Sequence, residues 1–157
     1  MKIIFLVVGK TTDSALNQLE SFYLGRLQHY ASVTYETIPA LKKTKKLLPA
    51  EQKAKEAQRI LSKCLPGDKL ILLDEKGKEF SSPGFADWLE KQFHGGSRRL
   101  VFVVGGPYGF DTAVYQRADA LISLSKLTFS HQMVRLFFLE QLYRAFSILN
   151  NEPYHHE

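Results

Sequence analysis

The chain has 157 residues, 21 Lys and Arg against 16 Asp and Glu for a formal net charge of +5, and one cysteine. That length fits one domain over residues 1–157, which buries roughly 70% of the surface its unfolded chain exposes and so needs neither disulfides nor a metal to build a core. Cys64 alone excludes an internal disulfide and a cysteine zinc site, and the short apolar opening excludes a signal peptide, so a soluble protein in a reducing, cytoplasmic setting is expected, with no membrane contact.

Residues 3–8, an apolar run within MKIIFLVVGKTTD, read as a buried strand. Thr11, Thr12, Asp13 and Ser14 then start a helix whose apolar face holds Ala15, Leu16, Leu19, Phe22, Tyr23 and Leu27. Residues 33–38 form a second strand, followed by a basic connection with Lys42, Lys43, Lys45 and Lys46. Pro49 opens a helix to about Lys63, stopped by the Leu-Pro-Gly-Asp turn at 65–68. Residues 69–73 are a third strand, and Ser82 and Pro83 start a helix carrying Phe85, Trp88, Leu89 and Phe93 that Gly95 and Gly96 end. Residues 100–104 form a fourth strand, 111–117 a short helix, 120–124 a fifth strand, and a last helix runs from about His131 to Asn150.

This alternation predicts an α/β fold, a mostly parallel sheet of five to six strands with helices on both faces. Ligands of such sheets bind at the carboxyl ends of the strands, which draws attention to the loops starting at Gly9, Asp74, Gly105 and Ser125. The last helix is apolar around nearly its whole circumference, from Met133 to Leu149. Such a helix is buried on all sides, either with one face on the sheet and another on a second subunit, or as a central core helix.

Two loops and the tail hold the residues suited to chemistry. In Gly105-Gly106-Pro107-Tyr108-Gly109 the backbone can approach a ligand closely, yet the pattern fits neither the dinucleotide fingerprint nor the P-loop. In the loop at 124–132, Thr128 or Ser130 can cap the last helix, and His131 in its first turn is expected to be neutral. Hydrolytic and zinc motifs are absent, and no metal is expected. Arg135 and Arg144 interrupt the apolar helix; Arg144 stands four residues after Glu140, placed for a helical ion pair, and an arginine at a subunit seam can alternatively hold phosphate. Asn151 to Glu157 reads by composition as a frayed end, against which Pro153, Tyr154 and His155 supply a bend, a stacking surface and a group that titrates near neutrality.

The strand VFVVGGPYG, the segment ALISLSKLTFSHQMVR, the helix end EQLYRAFSI, the terminal Pro153-Tyr154-His155 and the opening MKIIFLVVGK together resemble the RlmH (YbeA-like) methyltransferases of the SPOUT class, over the full length. The resemblance implies a C-terminal trefoil knot, an exception to the rule of unknotted chains. It also implies a homodimer through the C-terminal helix that methylates N3 of a pseudouridine in 23S rRNA of the ribosome, with S-adenosylmethionine as cofactor. On that basis Leu73, Gly105, Leu124, Ser125, Lys126, Leu127, Thr128 and Phe129 form the cofactor site. Arg144, Tyr154 and His155 match positions at the catalytic, substrate side, with the tail completing the site across the dimer, and His155 acting as base or as polariser of the uracil-like edge. The four lysines at 42–46 hold rRNA phosphates, or form a solvated charge run. The family usually has Pro where Ser130 stands, and Ser can still cap the helix. The alternatives are a non-catalytic ribosome-binding module of the same fold and, more remotely, a flavodoxin-like nucleotide-binding protein.

Overall fold

The computed structural model describes residues 2–156. Five strands, β1 (Lys2–Val8), β2 (Ser32–Ile38), β3 (Asp68–Lys78), β4 (Arg99–Val104) and β5 (Ala120–Ile122), form one sheet in the order β2-β1-β4-β3-β5, and every pairing is parallel. Parallel strands need crossovers, and the helices α1 (Ser14–Leu27), α2 (Pro49–Ser62), α3 (Ser82–His94) and α4 (Thr112–Arg117) supply them before α5 (Met133–Leu149) closes the fold.

Alternation along the strands divides the core in two. Ile3, Phe5, Val7, Ile71, Leu100, Phe102 and Val104 face the layer of α1, α3 and α5, where Phe138 packs tilted against Phe5 and Phe102. Ile4, Leu6, Leu70, Leu72, Val101 and Val103 face α2 and α4 through Ala57, Ile60 and Val114. Strands buried on both faces read as continuous apolar runs, which is why β1 and β4 are legible in the sequence. No helix among the described residues is long and apolar enough to cross a membrane.

Three elements depart from expectation. The apolar face predicted for α1 is mostly turned outward: Leu19 and Phe22 are exposed, Tyr23 and Leu24 are half-buried, and Leu27 is buried. The inward side of this helix instead carries Glu20, whose carboxylate accepts from the Thr11 hydroxyl at 2.9 Å. β5 ends at Ile122 rather than Leu124. β3 runs five residues further than Leu73, because Ile122 pairs with both Leu73 and Lys78 and the residues between them form a bulge. Gly77 closes that bulge against the next strand, where a Cβ would lie 2.5 Å from the Ile122 backbone.

The last helix is not buried on all sides within one protomer, since Met133 and Phe137 are 41% and 43% exposed. The tail is docked rather than frayed. Glu152 N–H bonds the Ser147 carbonyl at 2.9 Å, its carboxylate accepts from the Tyr30 hydroxyl, and Tyr154 packs edge-on to Tyr143 at 4.7 Å.

Candidate active site

The carboxyl ends of β3, β4 and β5 open into a cavity of about 720 Å³. Residues 73–76 line it from β3, residues 104–110 from the glycine loop, and residues 122–125 and 127–131 from the loop before α5, with Lys53 of α2 and Thr112 and Tyr115 of α4 at its margin. The loops at Asp74, Gly105 and Ser125 thus converge, while Gly9 lies elsewhere and its carbonyl serves Arg135. That size falls within the range of small-molecule sites, and the wall mixes apolar side chains, bare glycine backbone and polar groups.

The glycine loop is held from beneath. A Cβ on Gly106 would come within 2.7 Å of the buried Glu56 carboxylate, and one on Gly105 within 3.2 Å of the Phe110 ring. Only glycine lets the backbone lie this close to both. On the facing loop, the Ser125 hydroxyl accepts from Leu127 N–H at 3.0 Å and the Ser123 hydroxyl donates to the Ser125 carbonyl at 2.8 Å, which shapes the turn without a regular element. Leu127 at its tip is 77% exposed over the cavity, and Phe129 stacks obliquely on Phe137 at 4.8 Å.

Ser130 caps the start of α5: its hydroxyl accepts from Met133 N–H at 3.0 Å. His131 lines the cavity, and desolvation together with the nearby Arg135 guanidinium holds its ring below the usual histidine range, so the neutral form is favoured as expected. Arg135 itself has no exposed surface. It donates to the carbonyls of Val8 at 2.8 Å, Gly9 at 2.9 Å and His131 at 3.0 Å, and to the Thr11 hydroxyl at 3.1 Å. With its donors so used, Arg135 ties α5 to the end of β1 and does not offer a phosphate fork. Burial raises the Glu20 carboxyl, and the Thr11 hydroxyl and Arg135 partly offset that.

The catalytic candidates gather at the opposite end of α5. Arg144 donates to Glu140 at 2.5 Å, the helical pair read from the spacing, and its guanidinium lies 4.9 Å from the Tyr154 ring centroid. Tyr154 donates to the same Glu140 oxygen at 3.0 Å and lies 3.4 Å from the Tyr23 hydroxyl. Burial and these partners push the Tyr154 phenol far above its usual range, so it stays a donor. Arg144 Nη1 lies 3.3 Å from His155 Nδ1. A guanidinium has no acceptor, so Nδ1 accepts and the neutral ring carries its proton on Nε2.

Of the eight positions named for the cofactor, Leu73, Gly105, Leu124, Ser125, Leu127, Thr128 and Phe129 surround the one cavity, and Lys126 belongs to the same loop without lining it. Arg144, Tyr154 and His155 are brought together with one another but not with that cavity: Arg144 lies eleven residues beyond Met133, about 16 Å along the helix at 1.5 Å per residue. Lys42, Lys43, Lys45 and Lys46 are exposed on the connection ahead of α2, the helix that also sends Lys53 to the cavity margin. Sequence reasoning gave no role to Lys53, Asp74 or Tyr115. The signal for Asp74 was present, a carboxylate directly after a buried strand end, whereas nothing local marks Tyr115. Among the described residues, no group of three or more His, Cys, Asp or Glu side chains is placed to hold a metal ion.

Residues 1–155 match the family described as "Predicted SPOUT methyltransferase". The chain is 56% identical over 156 residues to a ribosomal RNA large subunit methyltransferase H of Christiangramia forsetii, covering 99% of each. It is 57% identical over 157 residues to the protein of that name from Parabacteroides distasonis, covering all of both. In fold it resembles a methylase-family protein of Haemophilus influenzae Rd KW20, with a TM-score of 0.53 at 11% identity over 99% of this chain and 70% of that one.

Proposed function

The chain belongs to the SPOUT methyltransferase family, and we propose that it is a single-domain enzyme that moves a methyl group from S-adenosylmethionine to N3 of a pseudouridine in 23S rRNA, on cytoplasmic ribosomes. Membership makes it a methyltransferase, which needs a methyl donor, and implies the C-terminal knot. The observation that carries the finer reading is the cavity at the ends of β3, β4 and β5, with a glycine loop too close-packed for side chains on one wall and a short polar loop on the other.

The residues present fit such a cofactor. Backbone groups of 123–131 would hold the edge of an adenine, Leu73, Leu124 and Leu127 would cover its faces, and Gly105 and Gly106 would leave room for the rest. S-adenosylmethionine would supply the methyl group from its sulfonium sulfur, which departs as a neutral thioether and needs no metal to do so. The protein then has to orient the nucleophile, where proximity alone contributes several kcal/mol, and to ease the loss of the imide proton. With Nδ1 held by Arg144, His155 would act through Nε2–H, polarising a carbonyl of the uracil-like edge while the imide proton passes to solvent.

The two groups act together only if a second copy brings its tail to this cavity. A homodimer through α5 meets that need, and exposed Leu127, Met133 and Phe137 at the cavity end are the surface it would cover. Lys42, Lys43, Lys45 and Lys46 then add to a basic face for rRNA phosphates.

The test is transfer of tritium from labelled S-adenosylmethionine to ribosomes. Label retained at a pseudouridine of 23S rRNA is expected. Ribosome binding without label would leave only a binding module of the same fold.

A further inference from the structure

The bulge in β3 does more than end a strand. Between Leu73 and Lys78 it lifts Asp74 out of the sheet onto the cavity wall, and Gly77, pressed against the Ile122 backbone, prevents it from relaxing. The carboxylate is then clamped: one oxygen accepts from the Lys76 backbone N–H at 2.8 Å, the other from the Tyr115 hydroxyl, which reaches across from α4. Tyr115 is itself braced edge-on by Phe110 at 5.9 Å. Burial and Asp74 push the Tyr115 phenol far above its usual range, so it donates at any working pH.

We infer that Asp74 binds the two neighbouring hydroxyls of the methyl donor's ribose, with Tyr115 as the residue that positions its carboxylate. This rests on the reading of the cavity as the donor site. Each carboxylate oxygen has one donor and keeps room for a second. Two adjacent lone pairs held at fixed spacing match two adjacent hydroxyl donors. The charges on the cavity wall balance, Lys53 and Lys76 against Asp74 and Glu75, so the match rests on the paired lone pairs and not on net charge.

The experiment is calorimetry of the full chain with three ligands: S-adenosylmethionine, 5′-methylthioadenosine, which keeps the ribose and lacks the amino-acid tail, and 2′-deoxy-5′-methylthioadenosine. Asp74→Asn is expected to weaken the first two alike, about tenfold, and to weaken the deoxy ligand, which keeps one of the two hydroxyls, by only about threefold. Tyr115→Phe, which keeps the carboxylate and frees its rotamer, is expected to cost about threefold on the same two ligands. Thermal unfolding midpoints near that of the parent chain verify that both variants fold. Loss for S-adenosylmethionine with 5′-methylthioadenosine spared would assign Asp74 to one of the donor's cationic groups, the sulfonium or the ammonium, and overturn the inference. So would an equal loss on the deoxy ligand, or no loss on any. A parent chain that binds neither S-adenosylmethionine nor its nucleoside and transfers no label removes the donor site itself, an outcome distinct from all of these.

Discussion

Arg135 and Arg144 lie nine positions apart on one helix, yet the first is sealed in the core with four hydrogen bonds to the end of β1, Thr11 and the turn before α5, while the second is partly exposed and shares Glu140 with Tyr154. The cavity end of the helix is built from glycine backbone, apolar side chains and polar groups brought from several strand ends. The tail end is built from charged and aromatic side chains that hold and orient protons. One end is an open cavity and the other a closed cluster of paired polar groups, and the length of α5 keeps them apart within one chain.

Replacing each arginine in turn gives the largest separation between the ends. Arg135→Met leaves three buried carbonyls without their donor and is expected to lower unfolding stability by about 4 kcal/mol, measured by denaturant titration. Arg144→Met should cost about 1 kcal/mol or less, as partly exposed pairs do, while sharply lowering methyl transfer. Equal losses of stability would erase the contrast.

Next in size is the tail histidine. His155→Ala is expected to reduce single-turnover transfer at least about tenfold, with calorimetric affinity for S-adenosylmethionine nearly unchanged. Unaltered transfer would make the docked tail purely structural.

Mixing sharpens the comparison further. Gly105→Leu spoils the cavity and His155→Ala spoils the tail, so equal mixing after co-refolding should return about a quarter of parental activity, since half the dimers then hold one intact composite site. Activity equal to the mean of the two variants would place both halves of the site in one protomer.

The smallest effect is a pH dependence at the cavity end. His131 has its folded value held below its ordinary 6.5, so its contribution to stability is full above that value and is lost as pH falls through the folded one. The parent chain should therefore lose stability between neutral and mildly acid pH more steeply than His131→Asn, by urea midpoints at each pH. Parallel curves would show that the ring does not sense its burial.

The strands and most helices were legible because each is marked locally: β1 and β4 by unbroken apolar runs, α2 by Pro49, and α3 by Ser82 and Pro83, although the capping hydroxyl belongs to Ser81, one residue earlier. The loops around the cavity were legible by the same token, as polar or glycine segments after apolar strands. What escaped depends on partners far along the chain. Residues 74–78 are polar and look like a loop, and only Ile122 makes them strand. Leu19 and Phe22 look like core because their spacing is helical, yet the sequence does not say which side α5 takes. The tail looks solvated until Tyr30 and Tyr23 meet Glu152 and Tyr154. Likewise Arg135 reads only as an interruption of an apolar helix, suited to a phosphate at a subunit seam, until the carbonyls of Val8 and Gly9 come within its reach.

The strand order carries a consequence for how the molecule comes into being. β1 sits beside β4 with Lys2 opposite Arg99, so a strand made among the first ten residues waits for a partner 97 positions later. At about 5–20 residues per second of synthesis, that wait lasts on the order of 5–20 s, during which Ile-Ile-Phe-Leu-Val-Val has β2 on one side and nothing on the other. A bare, uncharged central edge of this kind pairs readily with its counterpart on a neighbouring nascent chain. Recovery of folded protein should therefore depend on how crowded the newly made chains are, and dilution or a holding chaperone should help more than any stabilisation of the finished fold.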